Sequence, residues 1–206
     1  MSPIKFIYFD IGNVLITVDH ALASKQIAEL IGISWRRVEQ VLFDDGLQDQ
    51  YERGEISTAE FHKHFCRQTQ TSISVENLCF AASNIFEPLA DSVQLLETLK
   101  QAGYRLGLLS NTCDCHWSFL QEDRRFRFLH NGIEHYVLSF VAGLAKPDRD
   151  IYRLAADLAG CSPGSILFID DLDENVKAAQ ACGIDGILFK NLAELLNELS
   201  KRELIH

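Results

Sequence analysis

Short runs of consecutive apolar residues punctuate this chain, and between them apolar positions recur at helical spacing. The run at residues 4–9 (IKFIYF) is brief and rich in β-branched and aromatic side chains, and similar short apolar runs recur at 105–110, 136–139, 165–169 and 186–189. Strands buried on both faces of a sheet read this way. Between them, residues 91–102 set Val93, Leu95, Leu96 and Leu99 on one face, behind an Asp91/Gln94 capping box and ahead of Gly103. Residues 148–159 repeat the scheme with Ile151, Leu154, Ala155 and Leu158 before Gly160, and 173–182 with Val176 and Ala179 before Gly183. Residues 192–199 form a last amphipathic helix. Strands alternating with helices predict an α/β fold, a mostly parallel sheet with helices on both faces.

From about Asp19 to Glu87 the alternation stops and the pattern predicts helix after helix: 21–31 ending at Gly32, 34–43 ending near Gly46, 57–67 opened by a Ser57/Glu60 capping box, and 74–86 before Pro88. A purely helical block between the first two strands is most simply a lid. The expected organisation is an α/β core of residues 1–18 and 88–206 with an all-helical cap, 19–87, inserted over the sheet.

Composition narrows the function. The chain has 206 residues, 47% hydrophobic and 23% charged, enough for a real core and too apolar for intrinsic disorder. No apolar stretch approaches the ~20 residues a membrane span needs. The opening MSPIKFIYFD carries a lysine and an aspartate in its apolar run, unlike a secretory signal. A formal charge of −10 argues against nucleic-acid partners. These features predict a soluble, cytoplasmic protein that binds neither membrane nor nucleic acid. Its six cysteines are then expected to stay reduced. Cys113, Cys115 and His116 lie together, but with no second Cys/His pair at zinc-site spacing they read as ordinary thiols. Oligomeric state leaves no mark on the sequence.

In open α/β sheets, ligands bind beyond the carboxyl ends of the strands. At those ends this chain carries Asp10 after the first strand, Ser110-Asn111-Thr112 after the second, Lys146-Pro147 following the third, and Asp170-Asp171 after the fourth. Hard oxygen ligands beside a compact cation describe a magnesium site holding a phosphate. Each feature alone is unremarkable; four in this order at one sheet edge point to a site.

The residues carrying those features, Phe9-Asp10-Ile11-Gly12-Asn13-Val14-Leu15, Leu109-Ser110-Asn111-Thr112, Lys146-Pro147-Asp148 with Ile151-Tyr152, and Phe168-Ile169-Asp170-Asp171 with Asn175, resemble the haloacid dehalogenase-like hydrolase superfamily along the whole chain. The likeness extends to bacterial members acting on sugar phosphates such as glucose 1-phosphate, which share the Asp-x-Gly-Asn-Val opening and a cap segment like Glu52-Arg53-Gly54-Glu55-Ile56-Ser57. The resemblance implies a Rossmann-like core and a magnesium-dependent phosphatase of small phosphorylated metabolites. In it Asp10 is the nucleophile, forming an aspartyl-phosphate, and Lys146 orients it and neutralises charge. Ser110 and Asn111 hydrogen-bond the phosphoryl oxygens. Asp10, Asp171 and the Gly12 carbonyl ligate Mg2+, and Asp170 either shares that task or pairs with Lys146. Glu52 and Arg53 are candidate substrate contacts from the cap.

Gly12 departs from the superfamily pattern, in which a second aspartate two residues after the nucleophile acts as general acid and base. Proton transfer of that kind contributes about 10²–10⁴ in rate. Three readings stay open: a leaving group of low basicity, a stand-in such as water or Glu52, or a protein that binds a phosphorylated ligand without turning it over. Dehalogenation, which also lacks the second acid, is disfavoured because Asp170-Asp171 beside Asp10 demand a cation that dehalogenases do not use. Two clusters are set aside: His62 and His64 are expected to face solvent, away from the Phe61/Phe65 stripe. Arg124, Arg125 and Arg127 are expected to form a salt-bridged surface with Glu122 and Asp123.

Overall fold

All four residues of the first strand, β1 (Phe6–Phe9), are buried, and it occupies the centre of the sheet. The computed structural model describes residues 3–205. Met1, Ser2 and His206, at the outer limits of the expected core, lie outside the described residues. Two further strands form a separate ribbon, β2 (Ile16–Val18) and β3 (Phe86–Pro88). The main sheet is completed by β4 (Arg105–Ser110), β5 (Ile133–Leu138), β6 (Ile166–Asp170) and β7 (Asp185–Leu188). Its order is β5-β4-β1-β6-β7, every pairing parallel, with Phe6 opposite Arg105 on one side and Ile166 on the other. Alternate side chains of β1 enter different cores: Ile7 and Phe9 join Leu106, Leu108 and Leu167, while Phe6 and Tyr8 join Leu109, Ile166 and Phe168. Strand periodicity of two thus commits both faces to burial.

The α/β alternation is as the sequence predicts, with differences at the edges. Helix α6 (Ala90–Gln101) begins one residue before the expected Asp91/Gln94 box, and Leu89 stands at its cap with no side-chain bond. The reason is tertiary: the Leu89 N–H donates to the Leu15 carbonyl at 2.9 Å, so the chain leaves the ribbon straight into the helix. Strand β5 starts at Ile133, and Ser139, expected at its end, instead opens a short helix, Ser139–Ala142. The remaining helices of this part are Asp114–Glu122, Arg149–Ala159, Asp173–Ala181 and Leu192–Lys201.

Between β2 and β3 the chain is helical. Helix α1 (His20–Ile31) is capped by Asp19, whose carboxylate accepts from Leu22 N–H at 2.8 Å, and stops at left-handed Gly32. Helix α2 (Trp35–Glu39) runs into a π turn, Gln40–Asp44, and α3 (Leu47–Glu52), too short to show a periodicity of its own, follows. Helix α4 (Thr58–Thr69) carries the predicted Ser57/Glu60 capping box, and α5 (Val75–Ser83) ends early. The expected helix over 74–86 breaks because Asn84 leaves helical geometry and Phe86 pairs with Val18 in the ribbon. These helices share a core of their own around Ile27, Val38, Val41, Tyr51, Phe61, Phe65 and Leu78, joined from the sheet side by Cys113 and Cys115. They enter and leave through the β2–β3 ribbon, so the sheet carries a helical cap above its strand ends.

His62 is half-buried with Nε2 2.7 Å from the Ile73 carbonyl, tying the end of the α4–α5 loop, so it does not simply face solvent. Arg125 pairs with Glu87 at 2.7 Å and Asp123 at 2.8 Å, whereas among the described residues Arg124, Arg127 and Glu122 form no ion pair, so the expected salt-bridged surface is confined to Arg125. Among the described residues no helix is long and apolar enough to cross a membrane.

Candidate active site

Asp10 sits at the end of β1, where the strand gives way to Ile11. Its Oδ1 accepts from the Ile11 N–H at 2.7 Å and lies 3.0 Å from Lys146 Nζ, and Ser110 lines the same cavity as Asp10. Burial pushes Asp10 up from its ordinary 3.8 to about 6 against the pull of Lys146. Lys146 is buried too, which by itself would favour the neutral amine. Asp10 and Asp170 outweigh that, and the ammonium is held above its ordinary range. An isolated buried charge is costly and a paired one is tolerated, so the lysine and the two acids require one another.

Asp170 settles which partner it takes. Its Oδ2 accepts from Lys146 Nζ at 2.7 Å, while Oδ1 accepts from Leu172 N–H at 2.8 Å and Asn175 Nδ2 at 3.0 Å. The fully buried carboxylate is saturated by these donors and pairs with the lysine. Asn175 is itself placed through its carbonyl, which accepts from Tyr152 OH at 2.9 Å. Asp171 points a less buried carboxylate toward Asn13, whose Nδ2 donates at 3.1 Å, and partial burial raises its pKa. Asp10, Asp170 and Asp171 each offer an oxygen, all within 4.8 Å of one another. With Asp170 committed to Lys146, Asp10 and Asp171 are the hard anionic donors left for an ion, and they suit Mg2+ better than a soft ion.

Asn111 lines the cavity and also grips Lys146. Its Oδ1 accepts from Lys146 N–H at 2.8 Å and its Nδ2 donates to the Lys146 carbonyl at 2.9 Å. Both polar ends of the side chain are engaged in holding the lysine's backbone, so it positions Lys146. Ser110 remains beside Asp10.

These groups floor a cavity of about 320 Å³ that Gly12, Thr112, Glu52, His20 and His116 also line. Glu52, at the end of α3, is steadied by Gln48 Nε2, which donates at 2.9 Å. Burial holds the His20 imidazole below its ordinary range, opposed by the charge of Glu52. Arg53 is not brought to the cavity. It pairs with Asp49 and, at 3.1 Å, with Asp148, clasping α3 to the start of the Arg149–Ala159 helix. Adjacent residues on a helix end point in different directions, so Glu52 and Arg53 could not both face inward. At Gly12 a Cβ would meet Val18 Cγ2 at 3.2 Å, close enough that Val18 would have to shift slightly.

Sequence reasoning passed over His20, whose place above the strand ends follows only from the ribbon's path, and Ser139. The buried Ser139 hydroxyl accepts from Thr112 N–H at 2.9 Å and donates toward the Glu52 carbonyl, joining the α3 end to the loop after β4. No local pattern marks either.

The solved structure of the enzyme BT-2542 from Bacteroides thetaiotaomicron, crystallised with magnesium and inorganic phosphate, superposes with a TM-score of 0.82 at 28% identity, covering 93% of this chain and 98% of that one. A sesquiterpene phosphatase of Aspergillus oryzae is 28% identical over 192 residues, 90% of each chain. The bifunctional epoxide hydrolase 2 of Sus scrofa is 27% identical over 83% of this chain, which spans only 36% of that longer protein. A family model matches residues 4–183, which hold Asp10, Ser110, Lys146 and the Asp170-Asp171 pair, and with it the chain belongs to the haloacid dehalogenase-like hydrolases.

Proposed function

We propose that this protein is a magnesium-dependent phosphatase of small phosphorylated metabolites, with sugar phosphates the favoured class, working through an aspartyl-phosphate on Asp10. The observation that carries the reading is the buried Asp10–Lys146–Asp170 chain, with a 3.0 Å and a 2.7 Å contact, opening onto a cavity beside Asp171. The cavity suits a small polar metabolite. A relative named as a phosphatase and a fold neighbour holding magnesium and phosphate support the same reaction.

In this scheme Asp10 attacks the phosphorus, and the bond to the leaving oxygen breaks with its electron pair staying on that oxygen. Water then attacks the aspartyl-phosphate, releasing phosphate and restoring the carboxylate. Lys146 and Ser110 hold Asp10 in line and offset the oxygens' charge. Asp10, Asp171 and the Gly12 carbonyl would hold Mg2+, which when bound offsets the charge of the transferring phosphoryl group. Asp170 serves as the lysine's counter-charge. Glu52, on the cap side of the cavity with His20 beside it, is the group we assign to proton exchange with the leaving oxygen in place of a side chain at Gly12. All six cysteines are free, in keeping with a cytoplasmic setting.

Chelated protein should turn over p-nitrophenyl phosphate only once magnesium is restored, and a panel of phosphorylated metabolites should rank the natural class. Silence of the wild-type protein across the panel with magnesium present would overturn the reading. Gly12 itself favours a second reading, a phospho-ligand binder without turnover. Gly12→Asp distinguishes the two: a gain on substrates with poor leaving groups marks a working enzyme short of an acid, whereas binding without any turnover in either form marks the binder.

A further inference from the structure

Far from acting as isolated thiols, Cys113, Cys115 and His116 bring one Sγ or ring nitrogen each within 4.8 Å of one another, all three buried. Cys113 and Cys115 are 3.6 Å apart at sulfur. In a tetrahedral site with metal–sulfur bonds of ~2.3 Å and metal–nitrogen bonds of ~2.0 Å, ligand edges are roughly 3.5–3.8 Å. The sulfurs are already at that spacing, and the imidazole needs a shift of at most about 1 Å. The partner that the sequence does not show at any metal-site spacing arrives from the cap: Cys79 of α5 packs, partly buried, against the core that holds Cys113 and Cys115.

Surrounding groups fit sulfur anions better than thiols. Gln48 Nε2 points a donor at Cys113 Sγ at 3.6 Å. The cluster also opens the nine-residue helix Asp114–Glu122, whose positive end favours anionic ligands.

The geometry points to a second metal site, in which Cys113, Cys115 and His116, with Cys79 as fourth donor, bind a thiophilic d10 cation such as Zn2+. It is separate from the oxygen cluster on Asp10, Asp170 and Asp171 and independent of the phosphatase reading. Each ligating thiol gives its proton to solvent as its sulfur–metal bond forms, with no change of oxidation state. An ion there would link cap helix α5 to the turn that follows Thr112.

The full chain, reduced, chelator-stripped and kept in saturating magnesium to fill the oxygen cluster, should be titrated with Cd2+ and followed by thiolate-to-cadmium charge-transfer absorption, then competed with Zn2+. One saturating equivalent that zinc displaces is expected, with two or three sulfurs in the first shell by X-ray absorption. Cys113→Ser/Cys115→Ser should abolish the band, and Cys79→Ser and His116→Asn should weaken binding at least tenfold. Cys161→Ser and Asp171→Asn should leave it intact. The proposal fails if the folded wild type gives no such band, if its first shell holds fewer than two sulfurs, or if the double variant keeps full binding. The X-ray absorption measurement on wild type decides the matter even if the double variant does not fold.

Discussion

The floor and the wall of the cavity are built differently. Every floor side chain is fastened: Asp170 by three donors, Lys146 by two carboxylates, and Asn111 by both faces of the Lys146 peptide. On the wall, Gln48 is the one side-chain hydrogen-bond partner of Glu52 among the described residues, and His20 meets the Phe43 ring edge-on at 4.9 Å. The floor grows from the ends of a buried parallel sheet, where backbone cannot move without breaking the ladder. The wall belongs to a helical block tied on by a three-residue ribbon, the Arg53–Asp148 pair, the Ser139 bond to the Glu52 carbonyl and packing against Cys113 and Cys115. A rigid, pre-charged floor suits chemistry common to all phosphate esters, whereas a loosely held wall suits discrimination among the groups attached to phosphate.

If that division holds, floor substitutions should damage turnover of every ester and wall substitutions should sort substrates by leaving group. The largest effect belongs to Asp10→Asn, expected to lower kcat by about 10⁴ or more on all substrates, as removal of a nucleophile does. Steady-state assays would check it, and comparable loss on only some esters would break the comparison. Lys146→Met should cost about 10²–10³ in kcat. It also leaves Asp10 and Asp170 without their counter-charge, so denaturant melts should show a loss of about 3–5 kcal/mol.

Glu52→Gln tests the wall. It should lower kcat/KM about 10- to 100-fold on alkyl phosphates and leave p-nitrophenyl phosphate within about threefold, since nitrophenolate needs no proton. An equal loss on both would move Glu52 into the floor's category.

Acidity tests the floor's charge state. Asp10 must be ionised to attack, and burial raises it to about 6. With sub-saturating magnesium, kcat/KM should therefore fall about tenfold per pH unit below that value, and added magnesium should move the midpoint lower. The same shift has a stability consequence of smaller size. A carboxyl whose folded pKa lies above its ordinary 3.8 favours the folded state fully below that pH, and the benefit is lost as pH rises through about 6. Metal-free Asp10→Asn should accordingly be more stable than wild type near neutrality, by on the order of 1–3 kcal/mol, with the gap closing below about pH 4. Calorimetry across that range would show it.

Most of the floor was legible because each of its acids and its lysine directly follows or precedes a recognisable apolar run, and strand ends in a parallel sheet all face the same way. Asn111 was placed correctly, but its grip on Lys146 was not legible, since a side-chain amide can serve a ligand or a neighbouring peptide and no local pattern tells which. The wall was legible only at Glu52. Arg53 failed because a helix end aims successive side chains apart, and His20, Ser139 and the ribbon carry no periodicity long enough to detect.

By its pattern of apolar runs and helical stripes, the chain alone determined a parallel α/β sheet with a helical insertion and an Asp, Ser, Lys and Asp-Asp set at its carboxyl edge. Those features are local: they follow from the period of burial and from which residue ends each run. Only the tertiary structure decided that Asp170 belongs to Lys146, that Arg53 turns away, and that Cys79 of the cap packs against the core holding Cys113 and Cys115. Each of these is a contact between segments distant in sequence, and packing free energy across the cap–sheet boundary, not residue spacing, selects it.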